Sequence, residues 1–388
     1  MSAPGSDREA GAFLRHGGRL AAARGAFPDA PAPWLDLSTG INPRPYRARR
    51  ADPAALRRLP DPEEVAALEA AAAAAFGVTP DRVVATPGTE AALRALPRVL
   101  GARSVAIVSP TYGGHAEAWR LAGARVSHGS WDEARHSAAE AVVLVNPNNP
   151  DGAQVQDPDA GDRWLIIDEA FVETAPELSS APTRFPSPLA GEGGRRSLTD
   201  EGAAELAVPA AVGGFAVVHS PSSDPAHAGP PSPARGEGAP DGRRTVILRS
   251  FGKFYGLPGV RLGFVIAEPG LAARIGAQFG DWPVSAEAIA AGLAAYADED
   301  WAERTRLRLA RDAARLDALL SANGFEVLGG TSLFRLAAAP DAGRRFEALA
   351  RRGVLTRPFP DQPTWLRFGL PKPKDWPRLK AALEGSRR

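Results

Sequence analysis

Two short apolar runs, each ending in polar residues, constrain the fold more than any other feature of this chain. Residues 142–145 are Val-Val-Leu-Val and lead into an Asn-Pro turn, and residues 164–167 are Trp-Leu-Ile-Ile and lead into Asp168. Continuous apolar runs of this length are typical of parallel strands that helices cover on both faces. Because ligands of open α/β sheets bind beyond the carboxyl ends of the strands, Asn149 and Asp168 become candidate site residues.

The segments around these runs alternate between helical and strand patterns, which predicts an α/β fold with a mostly parallel sheet flanked by helices. The clearest helix spans residues 62–76, with Asp61 at the N-cap, Pro62 in the first position and Gly77 after the end. Further strands are predicted at residues 82–86, 104–109, 245–250 and 262–267, and further helices at 91–100 and 111–121.

Three regions and one insertion are predicted along the chain. An N-terminal arm, residues 1–52, is rich in Gly, Pro and Arg, and the large domain, residues 53–282, carries the sheet. A long helix and three short strands beyond it predict a small α+β domain at residues 283–388. The stretch from about residue 183 to 244 is rich in Pro, Gly, Ser and Ala, so we expect a disordered insertion, with a functional lid as the alternative.

Lysine usage singles out one amine in the chain. The chain has 46 Lys plus Arg, but only four of these are lysines, and three of the four lie between residues 372 and 380. Lys253 stands alone in the segment Ser-Phe-Gly-Lys-Phe-Tyr-Gly, residues 250–256. Arginine stays protonated, whereas lysine can lose its proton and react with an aldehyde, so Lys253 is a candidate nucleophile. A surface lysine beside a glycine-rich turn is the alternative.

Composition excludes several classes of function. The 388 residues include no cysteine, which excludes disulfides, thiolate catalysis and cysteine-ligated metal sites. The net charge of +1 gives no reason to expect a nucleic-acid partner or a membrane surface. The first 15 residues are polar, unlike a signal peptide, and the alanine-rich stretch at 66–76 is too short to span a bilayer. We therefore expect a cytoplasmic protein without a metal.

A lysine and a carboxylate at the ends of strands suit pyridoxal 5′-phosphate as a cofactor. Lys253 would bond to the cofactor aldehyde, Asp168 would pair with the ring nitrogen, and Asn149 could hydrogen-bond the 3′-oxygen. A phosphate group needs backbone N–H groups at the start of a helix, hydroxyl groups and an arginine. The candidates for these contacts, and for stacking on the ring, are Gly88, Thr89, Glu90, Ser250, Arg261 and Tyr112.

The order of these motifs resembles that of the class I/II, fold-type I aminotransferase superfamily. The resemblance is carried by Gly-Thr-Glu at 88–90, Tyr112, Asn-Pro-Asp-Gly at 149–152, Asp-Glu-Ala at 168–170 and Ser-Phe-Gly-Lys at 250–253. It covers nearly the whole chain apart from the insertion. It implies a fold-type I enzyme that depends on pyridoxal phosphate, and a homodimer with the site at the subunit interface.

Two N-terminal motifs are similar to those of the threonine-phosphate decarboxylases of cobalamin biosynthesis. They are His-Gly-Gly-Arg at residues 16–19 and the segment 34–43, which ends in Gly-Ile-Asn-Pro. This resemblance implies a site for a small phosphorylated amino acid formed by His16, Ile41, Asn42, Asn149 and Arg367, with Arg367 on the substrate carboxylate. A histidine in a flexible arm and an arginine on a surface strand are the alternatives for His16 and Arg367.

Two positions depart from the family pattern. Phe171 and Leu59 stand where many relatives have tyrosines that contact the 3′-oxygen and the partner subunit's cofactor phosphate. The implied reaction is decarboxylation of L-threonine O-3-phosphate to (R)-1-aminopropan-2-yl phosphate. A histidinol-phosphate-type aminotransferase would use the same cofactor residues and stays open as an alternative. A non-catalytic pyridoxal-phosphate-binding regulator and a copy inactivated by its insertion are two further alternatives.

Overall fold

The computed structural model of the chain describes residues 17–48, 50–184 and 244–387. His16 and almost all of the expected insertion lie outside the described residues, so the disorder and the lid expected there stay predictions. The described part of the arm contains a helix α1 (Leu20–Ala26) and a strand β1 (Leu35–Asp36). Within the described ranges, no helix combines the length and the apolar character needed to cross a membrane.

A seven-stranded sheet forms the large part of the molecule. Its strands are β2 (Val83–Thr86), β3 (Ser104–Val108), β4 (Arg125–Gly129), β5 (Ala141–Val145), β6 (Trp164–Asp168), β7 (Thr245–Ser250) and β8 (Gly263–Ile266). Their order in the sheet is β2-β8-β7-β6-β5-β3-β4. Strand β8 runs antiparallel to β2 and β7, and the other pairs are parallel. The mostly parallel sheet predicted from the sequence is therefore confirmed.

The central strands are apolar throughout because each face of the sheet is covered. In β6, Leu165 and Ile167 pack into one hydrophobic cluster and Ile166 packs into a second one. The helices of this part are α2 (Pro62–Phe76), α3 (Thr89–Leu100), α4 (Gly113–Leu121), α5 (Trp131–His136), α6 (Ala181–Arg184), α7 (Phe251–Phe254), α8 (Pro269–Gly276) and α9 (Ala286–Tyr296). Helix α2 has the predicted bounds, and the Glu64 side chain accepts a hydrogen bond from the Asp61 N–H at 2.9 Å.

A second, antiparallel sheet lies in the C-terminal part of the chain. Its strands are β9 (Glu326–Thr331), β10 (Phe334–Ala338), β12 (Arg357–Pro358) and β13 (Trp365–Gly369), in the order β12-β13-β10-β9. The accompanying helices are α10 (Glu299–Ala322), α11 (Ala342–Ala350) and α12 (Trp376–Ser386), and α10 packs against β9 and β10. This is the small α+β domain that the sequence predicted.

The N-terminal arm joins the small domain through main-chain hydrogen bonds. Strand β1 pairs in parallel with β11 (Val354–Leu355), and the N–H of Gly369 donates to the carbonyl oxygen of Leu37 at 2.7 Å. A Cβ atom at Gly369 would lie 2.2 Å from the carbonyl oxygen of Thr39, so glycine permits this close approach. Residues 37–39 are therefore fixed beside the last strand of the small domain.

Candidate active site

A pocket of about 400 Å³ lies where the central strands of the large sheet end. Val145, Asp168 and Ser250, the last residues of β5, β6 and β7, all line it. Ten residues that the sequence singled out meet in this pocket, namely Gly88, Thr89, Glu90, Tyr112, Asn149, Asp168, Ser250, Lys253, Arg261 and Arg367. The fold therefore brings together candidate residues that are up to 279 positions apart in the chain (367 − 88).

Lys253 is half-buried in α7, which directly follows β7. Its Nζ atom lies 5.9 Å from the centroid of the Phe171 ring. Burial and the positive charges of Arg367 and Arg261 lower the pKa of Lys253 to about 8, although Asp168 opposes the shift. Roughly a tenth of such an amine is unprotonated at pH 7, which is the form that attacks an aldehyde.

Asp168 is held by contacts on both carboxylate oxygens. Its Oδ2 atom lies 2.9 Å from Nε2 of His115, and its Oδ1 atom accepts a hydrogen bond from the Ala170 N–H at 3.0 Å. Asp168 is 5 % exposed and His115 is 1 % exposed. The carboxylate therefore has one fixed orientation, and a protonated ring nitrogen in the pocket would find it in place. His115 was not singled out from the sequence, where its only signal is its place three residues after Tyr112 on α4.

The start of α3 lies beside the guanidinium of Arg261. Gly88 precedes the helix with φ of 86°, and Thr89 and Glu90 are its first residues. A Cβ atom at Gly88 would lie 2.6 Å from Nη2 of Arg261, so the absent side chain lets the guanidinium approach the helix start. Backbone N–H groups, a guanidinium and the Ser250 hydroxyl are the donors that a phosphate requires, so these residues fit the cofactor.

Two aromatic side chains stand on the walls of the pocket. The Tyr112 hydroxyl donates to Oε2 of Glu90 at 3.1 Å, and burial together with Glu90 raises the pKa of Tyr112, so the phenol stays neutral. Phe171 packs edge-on against Phe334, with 4.9 Å between the ring centroids. A Cβ atom at Gly40 would lie 2.7 Å from Phe334 and 3.0 Å from Phe171. Because Gly40 has no side chain, the backbone of the arm can approach these two rings closely.

Two arginines of the small domain also line the pocket. Arg357 and Arg367 are opposed residues of β12 and β13, so their side chains project to the same face. Arg367 donates to Oδ1 of Asn149 through Nη1 and to the carbonyl oxygen of Ser38 through Nη2, the latter at 2.8 Å. Burial and the charge of Arg357 lower the pKa of Arg367 to about 9, and burial lowers that of Arg357.

Each of these two guanidinium groups has a hydrogen-bond donor without a partner among the described residues. The Nε atoms of Arg357 and Arg367 are buried and have no hydrogen-bond partner among the described residues. Buried charged donors without partners are costly, and an anionic ligand would satisfy them. Arg367 is only 6 % exposed, which removes the alternative of an arginine on a surface strand. Arg357 was not anticipated from the sequence.

Two arm residues of the predicted substrate site lie outside the lining of the pocket. Ile41 and Asn42 are not among the residues that line this pocket. Asn42 is turned toward the far side of α7: its Nδ2 donates to the carbonyl oxygen of Phe254 at 2.8 Å, and its N–H to that of Lys253 at 3.0 Å. Asn42 therefore holds the turn of the lysine in this structure, and the substrate contact predicted for it stays a prediction. His16 stays a prediction, although its neighbour Gly17 lines the pocket.

A buried ion network supports the strand ends outside the pocket. Arg249, the residue before Ser250, lies 3.2 Å from Glu169 and 2.5 Å from Glu173. Glu169, the residue after Asp168, also accepts a hydrogen bond from the Ser180 N–H at 2.7 Å. Removing one partner from such a buried network is destabilising, because the remaining charge is left uncompensated.

The chain matches proteins of known family over most of its length. The family model described as aminotransferase class I and II matches residues 33–382. A relative from Pseudomonas aeruginosa named threonine-phosphate decarboxylase is 33% identical over 385 residues, covering 96% of this chain and 98% of the relative. A relative of the same name from Sinorhizobium sp. is 32% identical over 365 residues, covering 92% of each chain.

More distant matches point to the same fold. A histidinol-phosphate aminotransferase from Geobacter sp. (strain M21) is 26% identical over 353 residues, covering 85% of each chain. The crystal structure of L-threonine-O-3-phosphate decarboxylase from Porphyromonas gingivalis superposes with a TM-score of 0.60 at 21% identity, covering 85% of this chain and 93% of that one. The chain therefore belongs to the aminotransferase class I and II family, and it is a pyridoxal-phosphate-dependent enzyme of fold type I.

Proposed function

We propose that this enzyme decarboxylates L-threonine O-3-phosphate to (R)-1-aminopropan-2-yl phosphate and CO₂ in cobalamin biosynthesis. The two relatives at 32–33% identity that carry this name support the reaction. The observation that carries the proposal is a pair of arginines, the half-buried Arg357 and the buried Arg367, whose buried Nε atoms lack partners in the described structure. A small substrate with a carboxylate and a phosphate would supply the acceptors that these cations lack.

The cofactor residues divide the work between attachment and electrostatics. When bound, pyridoxal phosphate supplies an electron sink that weakens a bond at the substrate Cα. Lys253 would hold the cofactor and then provide the proton that returns to Cα, for which a pKa near 8 is well matched. Asp168, oriented by His115, would face the ring nitrogen, while residues 88–90, Ser250 and Arg261 would hold the cofactor phosphate. Tyr112 would stack on the ring, and Asn149 would hydrogen-bond the 3′-oxygen.

The substrate residues select which bond breaks. The bond to the leaving group must lie perpendicular to the cofactor ring, and only anchors outside the ring can impose that orientation. Arg367, fixed by Asn149 and Ser38, is the anchor proposed for the substrate carboxylate, and Arg357 is a candidate for the substrate phosphate. His16, which adjoins the pocket residue Gly17, is proposed as a further phosphate ligand.

The second candidate function is a histidinol-phosphate-type aminotransferase. The 26% identical relative with that name favours it, and the cofactor residues are compatible with either reaction. Purified holoenzyme given L-threonine O-3-phosphate separates the two functions. Release of CO₂ without any 2-oxo acid supports the decarboxylase, whereas product formation that depends on 2-oxoglutarate would replace it by the aminotransferase. Cofactor binding without turnover of either kind would favour a regulator or an inactivated copy.

We further propose that the enzyme works as a cytoplasmic homodimer, with an arm (1–52), a large domain (53–282) and a small domain (283–388). Exposed apolar side chains support a surface that a second copy covers: Leu59 is 58 % exposed and Trp282 is 54 % exposed. Light scattering coupled to size-exclusion chromatography measures the mass directly. A monomer at micromolar concentration that retains full activity would contradict this part of the proposal.

A further inference from the structure

A second cleft, of about 670 Å³, lies between the segment at residues 44–47 and helix α10. We call it the arginine cleft, because the charged residues that line it are Arg44, Arg47, Arg304, Arg308, Arg311 and Asp298. None of these residues lines the pocket of Lys253. The proposed reaction gives no role to this cleft. It also gives no role to the basic run of sequence that begins at Arg44.

The carboxylates around the cleft do not balance its arginines. Asp298 is engaged with the N–H of Trp301 at 3.0 Å and the hydroxyl of Tyr46 at 3.3 Å. Asp300 lies 3.8 Å from Arg304, which is a loose contact between exposed side chains. Such surface pairs contribute little, so the cleft keeps an excess of positive charge.

Arg308 is the centre of this unbalanced group. Its Nη1 atom is buried and has no hydrogen-bond partner in the part of the chain that the structure describes. Among the residues described, its Nη2 atom donates to Asn42 Oδ1 at 3.4 Å and to Thr305 Oγ1 at 3.5 Å, both at the long limit of a hydrogen bond. Burial and the neighbouring charges of Arg44 and Arg311 lower the pKa of Arg308, although Asp312 opposes the shift.

We propose that the arginine cleft binds a small oxyanion of two or more negative charges, of the phosphate or phosphate-ester class. An oxygen of this anion would accept the unmade hydrogen bond of Arg308 and relieve its repulsion with Arg44 and Arg311. Planar guanidinium groups suit phosphate because they donate two parallel hydrogen bonds. A concave site around a half-buried arginine favours a compact anion over a polymer that lies across an exposed surface.

The cleft has a short physical connection to the catalytic lysine. Asn42 Oδ1 accepts from the Arg44 N–H at 3.0 Å and faces Arg308, while the other side of Asn42 donates to the carbonyl oxygens of Phe254 and Lys253. An anion that repositions Arg308 would therefore act on the residue that holds the turn of the lysine. The cleft is thus placed to couple anion binding to the active site.

The test is a calorimetric titration of the holoenzyme with inorganic phosphate, at an ionic strength kept constant with sodium chloride. We expect saturable binding that the double variant Arg308→Gln/Arg311→Gln weakens at least tenfold. Arg98→Gln, which removes an exposed arginine of α3 outside the cleft, is the matched control and should bind as the parent does. Sulfate should compete with phosphate, and acetate should not.

A further variant separates the cleft from phosphate that enters the active site. Arg357→Gln changes only the pocket of Lys253, so it should retain the binding that the double variant loses. If the loss occurs in Arg357→Gln instead, or if the double variant binds as the parent does, the proposal is wrong. Should the double variant fail to fold, the single exposed change Arg47→Gln is expected to weaken binding about threefold. Unchanged affinity there, or preference for single-stranded DNA over phosphate, would also overturn it.

Discussion

The wall of the active-site pocket that comes from the large sheet differs from the wall that comes from the small domain. On the sheet side, Asp168 is held by His115 and Ala170, and the Tyr112 hydroxyl by Glu90. On the other side, the Nε atoms of Arg357 and Arg367 are the only buried side-chain atoms without partners among the described residues that line the pocket.

This difference indicates which kind of ligand each wall is suited to bind. A residue set whose contacts are already made can hold a resident cofactor in one orientation, because little has to be reorganised when it binds. Buried donors without partners are tolerated where a ligand supplies the acceptor during each catalytic cycle. This contrast supports our proposal that the sheet side holds the cofactor and that the small-domain side binds an anionic substrate.

The largest effect is expected from removing the amine. Lys253→Ala should lower CO₂ release by about 10³-fold or more, because both cofactor attachment and proton return to Cα are lost. The absorbance band of the lysine-bound cofactor should disappear as well. Lys374→Ala, at an exposed lysine near the C-terminus, is the matched control and should leave both readouts unchanged. A Lys253→Ala protein with the band intact would contradict the assignment.

The next effect tests the sheet side. Asp168→Asn should lower kcat by about 100-fold, because a neutral amide cannot compensate a protonated ring nitrogen. Steady-state kinetics of the variant reconstituted with cofactor measures this loss. His115→Gln should give a smaller loss of kcat in the same direction, since the carboxylate keeps its charge and loses only one orienting contact. Equal activity of Asp168→Asn and the parent would remove Asp168 from the mechanism.

A matched pair of arginine variants separates the two walls. Arg357→Gln should raise KM about 10- to 100-fold, since a hydrogen bond to a charged group contributes about 1.5–3 kcal/mol. It should leave cofactor affinity unchanged. Arg261→Gln should do the reverse and weaken cofactor binding, measured by titrating apoenzyme with pyridoxal phosphate. If both variants lose cofactor to the same extent, the division into two walls does not hold.

The smallest effect concerns pH. The pKa of Lys253 is lowered to about 8, so the rate at which apoenzyme attaches pyridoxal phosphate should fall about tenfold for each pH unit below that value. Above pH 8 it should level off. Because the pKa is lowered only in the folded state, stability should rise with pH between about 8 and 10.5. Arg367→Gln removes a nearby positive charge and should move the rate profile to higher pH, and an unmoved profile would contradict the electrostatic cause.

Most of the sheet side could be predicted from sequence, because its helices and strands follow from short, local sequence patterns. Helix α2 follows from Asp61, Pro62 and Gly77, and the strand that ends in Asp168 follows from a continuous apolar run. Strand β4 escaped prediction because it lies at the edge of the sheet, where exposed residues such as Arg125 and His128 leave no apolar run.

The small-domain side could not be predicted from sequence in the same way, because only tertiary contacts show which of its residues line the pocket. Arg357 is one arginine among many until strand pairing sets it opposite Arg367. Asn42 lies in a motif similar to that of the decarboxylases, yet its amide is directed to the carbonyl oxygen of Phe254. His115 becomes informative only when helix α4 brings it to Asp168.

The carbonyl oxygen of Ser38 restricts how the C-terminal half could be exchanged with that of another enzyme. Arg367 depends on this acceptor, which belongs to a segment more than 300 positions earlier in the chain. In a chimera with the C-terminal half of another enzyme, the arginine would come from that enzyme, while the carbonyl oxygen of Ser38 would come from this chain. The donor and the acceptor would then not be matched in position. Substrate preference would be transferred intact only if the stretch of backbone before Ile41 were exchanged together with it.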